Sequence, residues 1–139
     1  CLLSRGLGDV YKRQVLSRTP EMLASLTTLD GKVSDPNSEK EQQPEYAKNQ
    51  TRSIRPEILV TTGVCTHLGC SPVYRKEIAP ADLGQDWLGG FFCPCHGSKF
   101  DLAGRVYKNV PAPTNLFVPP HVYLSENILL IGSESKEDA

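Results

Sequence analysis

The chain is predicted to be mainly β: a small antiparallel multi-strand fold with a short helical or loop insertion and long loops that carry its chemistry. Three observations lead there. Apolar runs of strand length recur, as in "EILVTTGV" (57–64), "GGFF" (89–92) and "ILLI" (128–131). Proline and glycine punctuate the gaps between them, and a single stretch has the caps and spacing of a helix. With 139 residues, 39% of them hydrophobic, the chain can bury one modest core, so one domain is expected rather than two.

The elements follow in chain order. Residues 1–14, "CLLSRGLGDVYKRQ", are basic and poorly patterned, and the sole methionine is Met22; this stretch is expected to be a non-native or disordered N-terminal segment, with Cys1 an incidental thiol. The domain proper is expected over 15–139. "VLSRTPEMLASLTTL" reads as a short strand and then a helical turn or two: Thr19 caps, Pro20 takes the first helical position, Glu21 puts negative charge at the helix start, and Met22, Leu23 and Leu26 share a face. Residues 30–55 lack periodic apolar positions and should form a long solvated surface excursion. "EILVTTGV" is then a buried strand, "GGFF" another, and "GRVYKNV" (104–110) a following strand. "VYLSENILLIGS" closes the chain as a hairpin turning at Ser125, Glu126 and Asn127.

Charge and hydropathy remove two function classes. Fifteen basic and 16 acidic residues leave a formal charge of -1 with no concentrated positive field, which argues against a nucleic-acid partner. No apolar run approaches the roughly 20 residues that span a bilayer, so no membrane span is expected in the chain as given.

Chemistry concentrates in two short boxes, "CTHLGC" (65–70) and "CPCHGS" (93–98). Together they hold Cys65, His67, Cys70, Cys93, Cys95 and His96, two more donors than a tetrahedral ion uses. Each box can offer one thiolate and one imidazole to a shared centre, which leaves Cys70 and Cys95 as a natural pair able to clip the loops by a disulfide. Two thiolates with two imidazoles suit zinc or a [2Fe-2S] cluster in which sulfur holds one iron and imidazole the other. The mixed composition of each box, with a disulfide beside the metal, favours the cluster over a zinc finger.

These boxes, with "PAP" (111–113), resemble the soluble head of the Rieske iron-sulfur subunit of ubiquinol:cytochrome c reductase, the cytochrome bc1 complex, in its proteobacterial form; "SRTPEML" and "VPPHVYLSEN" add to the likeness, which covers about residues 15–133. The resemblance implies a Rieske-type fold with its cluster-binding portion at about 58–114, and one [2Fe-2S] cluster per chain held by Cys65, His67, Cys93 and His96. It implies the Cys70–Cys95 disulfide. It further implies that ubiquinol docks at His67 and His96, giving an electron with coupled proton transfer, and that the head then passes the electron to cytochrome c1 in a complex with cytochrome b. A membrane anchor precedes such heads in the family, and a detached head is expected to be monomeric.

Neighbouring residues take expected roles on the same basis. Ser98 donates a hydrogen bond to a cluster sulfur. Leu68, Gly69, Gly97, Pro111, Ala112 and Pro113 shield the cluster, Leu68 also offering an apolar surface to a quinone ring. Phe100 departs from the tyrosine common in the family and lacks its hydroxyl. His121 is expected to pack rather than bind iron, and Trp87 and Tyr74 to support the segment between the boxes. A disulfide points to an oxidising compartment, here the periplasmic side of a bacterial membrane. Two other readings stand beside this one: a Rieske ferredoxin or oxygenase-associated carrier, disfavoured by the disulfide cysteines, and a zinc-stabilised binding module.

Overall fold

The structure, a computed structural model, describes residues 2–4 and 13–138. Cys1 and residues 5–12 lie outside the described residues, as does Ala139. The strands are β1 (Leu2–Ser4), β2 (Arg13–Ser17), β3 (Ile58–Thr62), β4 (Val73–Arg75), β5 (Gly90–Phe92), β6 (Lys99–Phe100), β7 (His121–Ser125) and β8 (Ile128–Ile131). Among the described residues, one α-helix, α1 (Pro20–Thr28), and short 3-10 turns at Glu45–Ala47 and Lys136–Asp138 accompany them. The mainly β, antiparallel expectation holds, with one parallel pair, β1 beside β8.

Among the described residues three small sheets form, ordered β1-β8-β7, β2-β3 and β4-β5-β6. Strand β3 joins two cores because Leu59, Val60 and Thr61 are buried in succession. Leu59 packs with Cys65, Phe91, Cys93, Phe100, Val106 and Leu116, whereas Val60 packs with Leu129 and Ile131. Such a strand is covered on both faces, which is why it reads as a continuous apolar run rather than an alternating one. Strand β2 begins at Arg13, opposite Thr62, so Arg13 and Gln14 pair with β3 although a boundary was expected after residue 14.

Helix α1 starts as its caps predict. Thr19 Oγ1 accepts the Met22 amide at 3.2 Å, and the Thr19 amide donates to Met22 Sδ at 3.3 Å. A thioether thus fills the reciprocal role usually played by a Glu or Gln side chain. Leu26, Met22 and Leu23 lie against Leu102 and Ala103.

Two expectations are corrected. Residues 104–110 do not form a strand: Val106 and Tyr107 make only isolated bridges, to Phe100 and Val33. The backbone of Val106 is instead engaged by Asn115 Oδ1 and the Ser34 amide, and Asn109 takes a left-handed turn at φ 63°. Nor is 30–55 solvated throughout: most of its charged side chains are exposed, as expected, but its backbone is not a plain surface excursion. Val33, Ser38, Ala47, Arg52 and Ser53 are buried within it. The Arg52 guanidinium donates to the carbonyls of Ala103 (3.1 Å), Gln42 (3.3 Å) and Leu116 (2.8 Å) and to Gln43 Oε1 (3.1 Å). The segment is thus organised around hydrogen bonding to a buried cation, which hydrophobic periodicity does not detect.

The terminal hairpin forms as expected, with Glu126 and Asn127 at its turn; Ser125 ends β7 opposite Ile128, and a register shift falls between Tyr123 and Ser125. Among the described residues, no helix is long and apolar enough to cross a membrane.

Candidate metal centre

The two boxes follow β3 and β5, and each closes on itself with the same pair of backbone hydrogen bonds. In the first, the Cys65 amide donates to the Cys70 carbonyl at 2.7 Å and the Gly69 amide to the Cys65 carbonyl at 3.0 Å. In the second, Cys93 donates to Ser98 at 2.8 Å and Gly97 to Cys93 at 2.9 Å. Both loops turn back through left-handed glycines, Gly69 at φ 86° and Gly97 at φ 81°. Nothing would crowd a Cβ there within 4 Å, so backbone conformation alone requires glycine.

This matched folding sorts the six donors. The leading residues, Cys65 and Cys93, are buried free thiols in the same core. The last residue of the first box, Cys70, meets Cys95 of the second in a disulfide with a Cα–Cα distance of 6.5 Å. His67 and His96 face one another edge-to-face, their ring centroids 4.9 Å apart. The disulfide expected from the sequence is therefore present, the two histidine rings are in contact, and the two free thiols share one core.

The electrostatics suit a set of nitrogen and sulfur donors. Burial pushes the Cys65 thiol up; the neighbouring Cys93 thiol adds to this, while the His67 amide and the Ser98 hydroxyl pull against it. His67 Nδ1 is buried with no hydrogen-bond partner. An orphaned imidazole nitrogen in a box that a buried thiol heads fits a centre that takes nitrogen and sulfur ligands, since buried polar atoms ordinarily find a partner. The sulfurs of Cys70, Cys93 and Cys95 lie within 4.8 Å of one another, but two of them are joined to each other and offer no thiolate, so that triplet is not a ligand set.

The segment Pro111–Pro113 is held from two sides. Toward the boxes, Ser98 Oγ accepts the Ala112 amide at 3.0 Å and Thr66 Oγ1 donates to the Thr114 carbonyl at 2.7 Å. From the other side, Lys40 Nζ donates to the Pro113 carbonyl at 3.3 Å, and Gln42 Nε2 to Thr114 Oγ1 at 2.9 Å and the Asn115 carbonyl at 3.1 Å. Thr66, Lys40 and Gln42 were not anticipated as contributors. Thr66 lies inside the first box, whereas nothing in the composition around Lys40 and Gln42 marks them.

Of the shielding candidates, Ala112 is buried, Pro111 and Pro113 are exposed, and Leu68 projects outward at 70% exposure. Phe100 is fully buried in the core that holds Cys65 and Cys93. His121 stands apart from the boxes, as expected, with Nδ1 2.8 Å from the Pro119 carbonyl and its ring edge-on to Tyr46. Trp87 is buried and donates from Nε1 to the Arg75 carbonyl at 3.2 Å; Tyr74 lies beside Phe91.

A family model described as the Rieske [2Fe-2S] domain matches residues 38–120, which include both boxes and the proline segment. The chain is 65% identical over 120 residues to the ubiquinol-cytochrome c reductase iron-sulfur subunit of Allochromatium vinosum, covering 86% of this chain and 58% of that protein. It is 44% identical over 116 residues to the mitochondrial cytochrome b-c1 complex subunit Rieske-1 of Nicotiana tabacum, covering 83% of this chain and 37% of the relative. A similar match, 44% over 116 residues and 36% of the relative, is made to the mitochondrial Rieske subunit of Solanum tuberosum. The chain thus spans between 36% and 58% of the length of these relatives.

Proposed function

Because the chain belongs to the Rieske [2Fe-2S] domain family, we propose that it is the electron-carrying head of a ubiquinol:cytochrome c reductase, taking an electron from ubiquinol with coupled proton transfer and passing it to cytochrome c1. The observation that carries this reading is the pairing of two buried thiols with two facing histidines on matched loops that a disulfide clips together. The relatives' names, of a ubiquinol-cytochrome c reductase subunit and of cytochrome b-c1 complex subunits, favour it over an oxygenase-associated carrier.

The [2Fe-2S] cluster, when bound, supplies a centre that gains and loses one electron. Cys65 and Cys93 would hold one iron. His67, whose Nδ1 has no partner, and His96 would hold the other. Neutral imidazoles in place of two thiolates lower the negative charge at the centre and so favour reduction. Each ring would keep its second nitrogen for a proton exchanged with quinol. The Ser98 oxygen is occupied by the Ala112 amide, which leaves its hydrogen to donate to sulfur. Ala112 and the flanking prolines, with Gly69 and Gly97, keep water from the centre, and Leu68 gives the quinone ring an apolar contact.

In the whole assembly the head meets cytochrome b when it accepts an electron and cytochrome c1 when it delivers one; detached, it is a monomer. The disulfide suits an oxidising space, the periplasmic side of a bacterial membrane.

Metal and sulfide analysis tests the centre: two irons and two inorganic sulfides per chain are expected, and one zinc without sulfide overturns the reading. The midpoint potential, followed from neutral to strongly alkaline pH, tests the proton. It should fall progressively once the outer ring nitrogens lose their protons, and a flat line with an intact visible spectrum overturns the coupled transfer.

A further inference from the structure

Three sulfurs crowd together where the two boxes meet. Cys93 Sγ and both sulfurs of the Cys70–Cys95 bridge lie within 4.8 Å of one another, and Cys93 is a free thiol sealed from solvent. This triplet does not include the other free thiol, Cys65. A thiolate beside a disulfide is the reacting pair of thiol–disulfide exchange, whose rate depends on the access of the attacking sulfur to the bridge.

We propose that Cys93, when it holds no metal, isomerises the neighbouring disulfide. The Cys93 thiolate attacks Cys70 Sγ, a Cys70–Cys93 bond forms, and the Cys70–Cys95 bond breaks. The electron pair of the broken bond leaves on Cys95 Sγ, which takes up the proton that Cys93 gave up. One disulfide and the same number of thiols remain, so neither oxidant nor reductant is consumed. Attack on Cys95 Sγ is the minor course, because Cys93 and Cys95 are separated only by Pro94, whose ring restricts the closure of so small a loop.

The isomer is accessible for two reasons. Its loop is two residues shorter than the native 25-residue separation, a change that chain entropy hardly registers. The sulfur it releases, Cys95, belongs to an exposed residue, whereas the sulfur it consumes is buried, so the freed thiol meets solvent rather than the core. The consequence rests on the ligand reading above: metal on Cys93 removes the attacking thiolate, so an occupied centre protects its own staple, and a chain that loses its metal loses a ligand to the new bridge.

The test uses the chain with Cys1→Ser, so that the terminal thiol takes no part. Metal-loaded and chelator-stripped samples are held without oxygen at one pH, alkylated, digested without reduction and mapped by mass spectrometry. In the stripped chain a Cys70–Cys93 peptide should accumulate with alkylated Cys95 in step; it should persist in Cys65→Ser, vanish in Cys93→Ser, and form at least tenfold more slowly in the loaded chain. Cys70–Cys95 as the sole bridge in the stripped chain and in Cys65→Ser overturns the proposal. So does equal scrambling of the stripped and loaded chains when the loaded one contains its iron and sulfide. A loaded sample found to contain zinc counts against the cluster reading instead, and the stripped chain still decides the exchange.

Discussion

The Ser98 hydroxyl oxygen accepts the Ala112 amide at 3.0 Å, both residues buried and 14 positions apart in the chain. One hydroxyl thereby ties the second box to the proline segment while its hydrogen is directed to the Cys65 sulfur. Ser98→Ala should leave the Ala112 amide buried without an acceptor and cost about 1–3 kcal/mol, read from denaturant unfolding. It should also lower the midpoint potential of the loaded domain. Unchanged stability would show that the bond contributes nothing net.

Phe100 fills its place in the core around Cys65 and Cys93 without offering a donor. Phe100→Tyr should supply a hydroxyl to a ligand sulfur and raise the reduction potential, because that hydrogen bond stabilises the more negative, reduced state more. Protein-film voltammetry of the two forms under identical conditions reads the sign. An unchanged or lowered potential refutes the account.

Arg52→Met keeps much of the length of the side chain and removes every donor. The Ala103 and Leu116 carbonyls then lose a buried partner, which is costly; against this, burial already disfavours the guanidinium charge, pushing its pKa down to about 10. The net loss expected is about 1–3 kcal/mol. Hydrogen exchange should show where it falls: the Leu116 and Val118 amides should exchange faster, because the Leu116 and Gln42 carbonyls that Arg52 holds flank them.

His121 predicts a pH dependence away from the metal centre. Burial lowers its pKa below the usual 6.5, although the Pro119 carbonyl at Nδ1 and the charge of Glu134 favour the protonated ring. The rings of Tyr46 and Tyr123 pack around it. With the folded pKa depressed, the unfolded chain binds the proton first as pH falls. The contribution is therefore whole above about 6.5 and is lost progressively below it. Urea midpoints at pH 7.5 and 5.5 should show a larger drop for the native chain than for His121→Gln, the difference cancelling the carboxylates common to both. Equal drops would exclude His121 as the source.

The elements legible in the sequence were those whose cause is local. Thr19 and Pro20 mark the helix start within a single turn. The apolar run around Leu59 and Val60 marks a strand covered on both faces. Each box closes by hydrogen bonds spanning at most six residues, so its composition is its structure, and counting donors was enough to set Cys70 and Cys95 apart from Cys65, His67, Cys93 and His96. Residues 104–110 show the opposite case: an alternating pattern looked like a strand, but the Val106 amide went to Asn115, nine positions on.

The sequence by itself determined the chemistry, the two matched loops and their staple, because those depend on residue types at short spacing. The tertiary structure alone decided what stands behind them: that a polar segment read as solvated would bury Arg52, and that Gln42 would reach Thr114, 72 positions away, to hold the proline segment in place. Most of Arg52's partners are backbone carbonyls, as is one of the two that Gln42 Nε2 reaches. Every residue carries such a group, so the partner leaves no trace in the sequence, and only folding brings a particular carbonyl within reach of a particular donor.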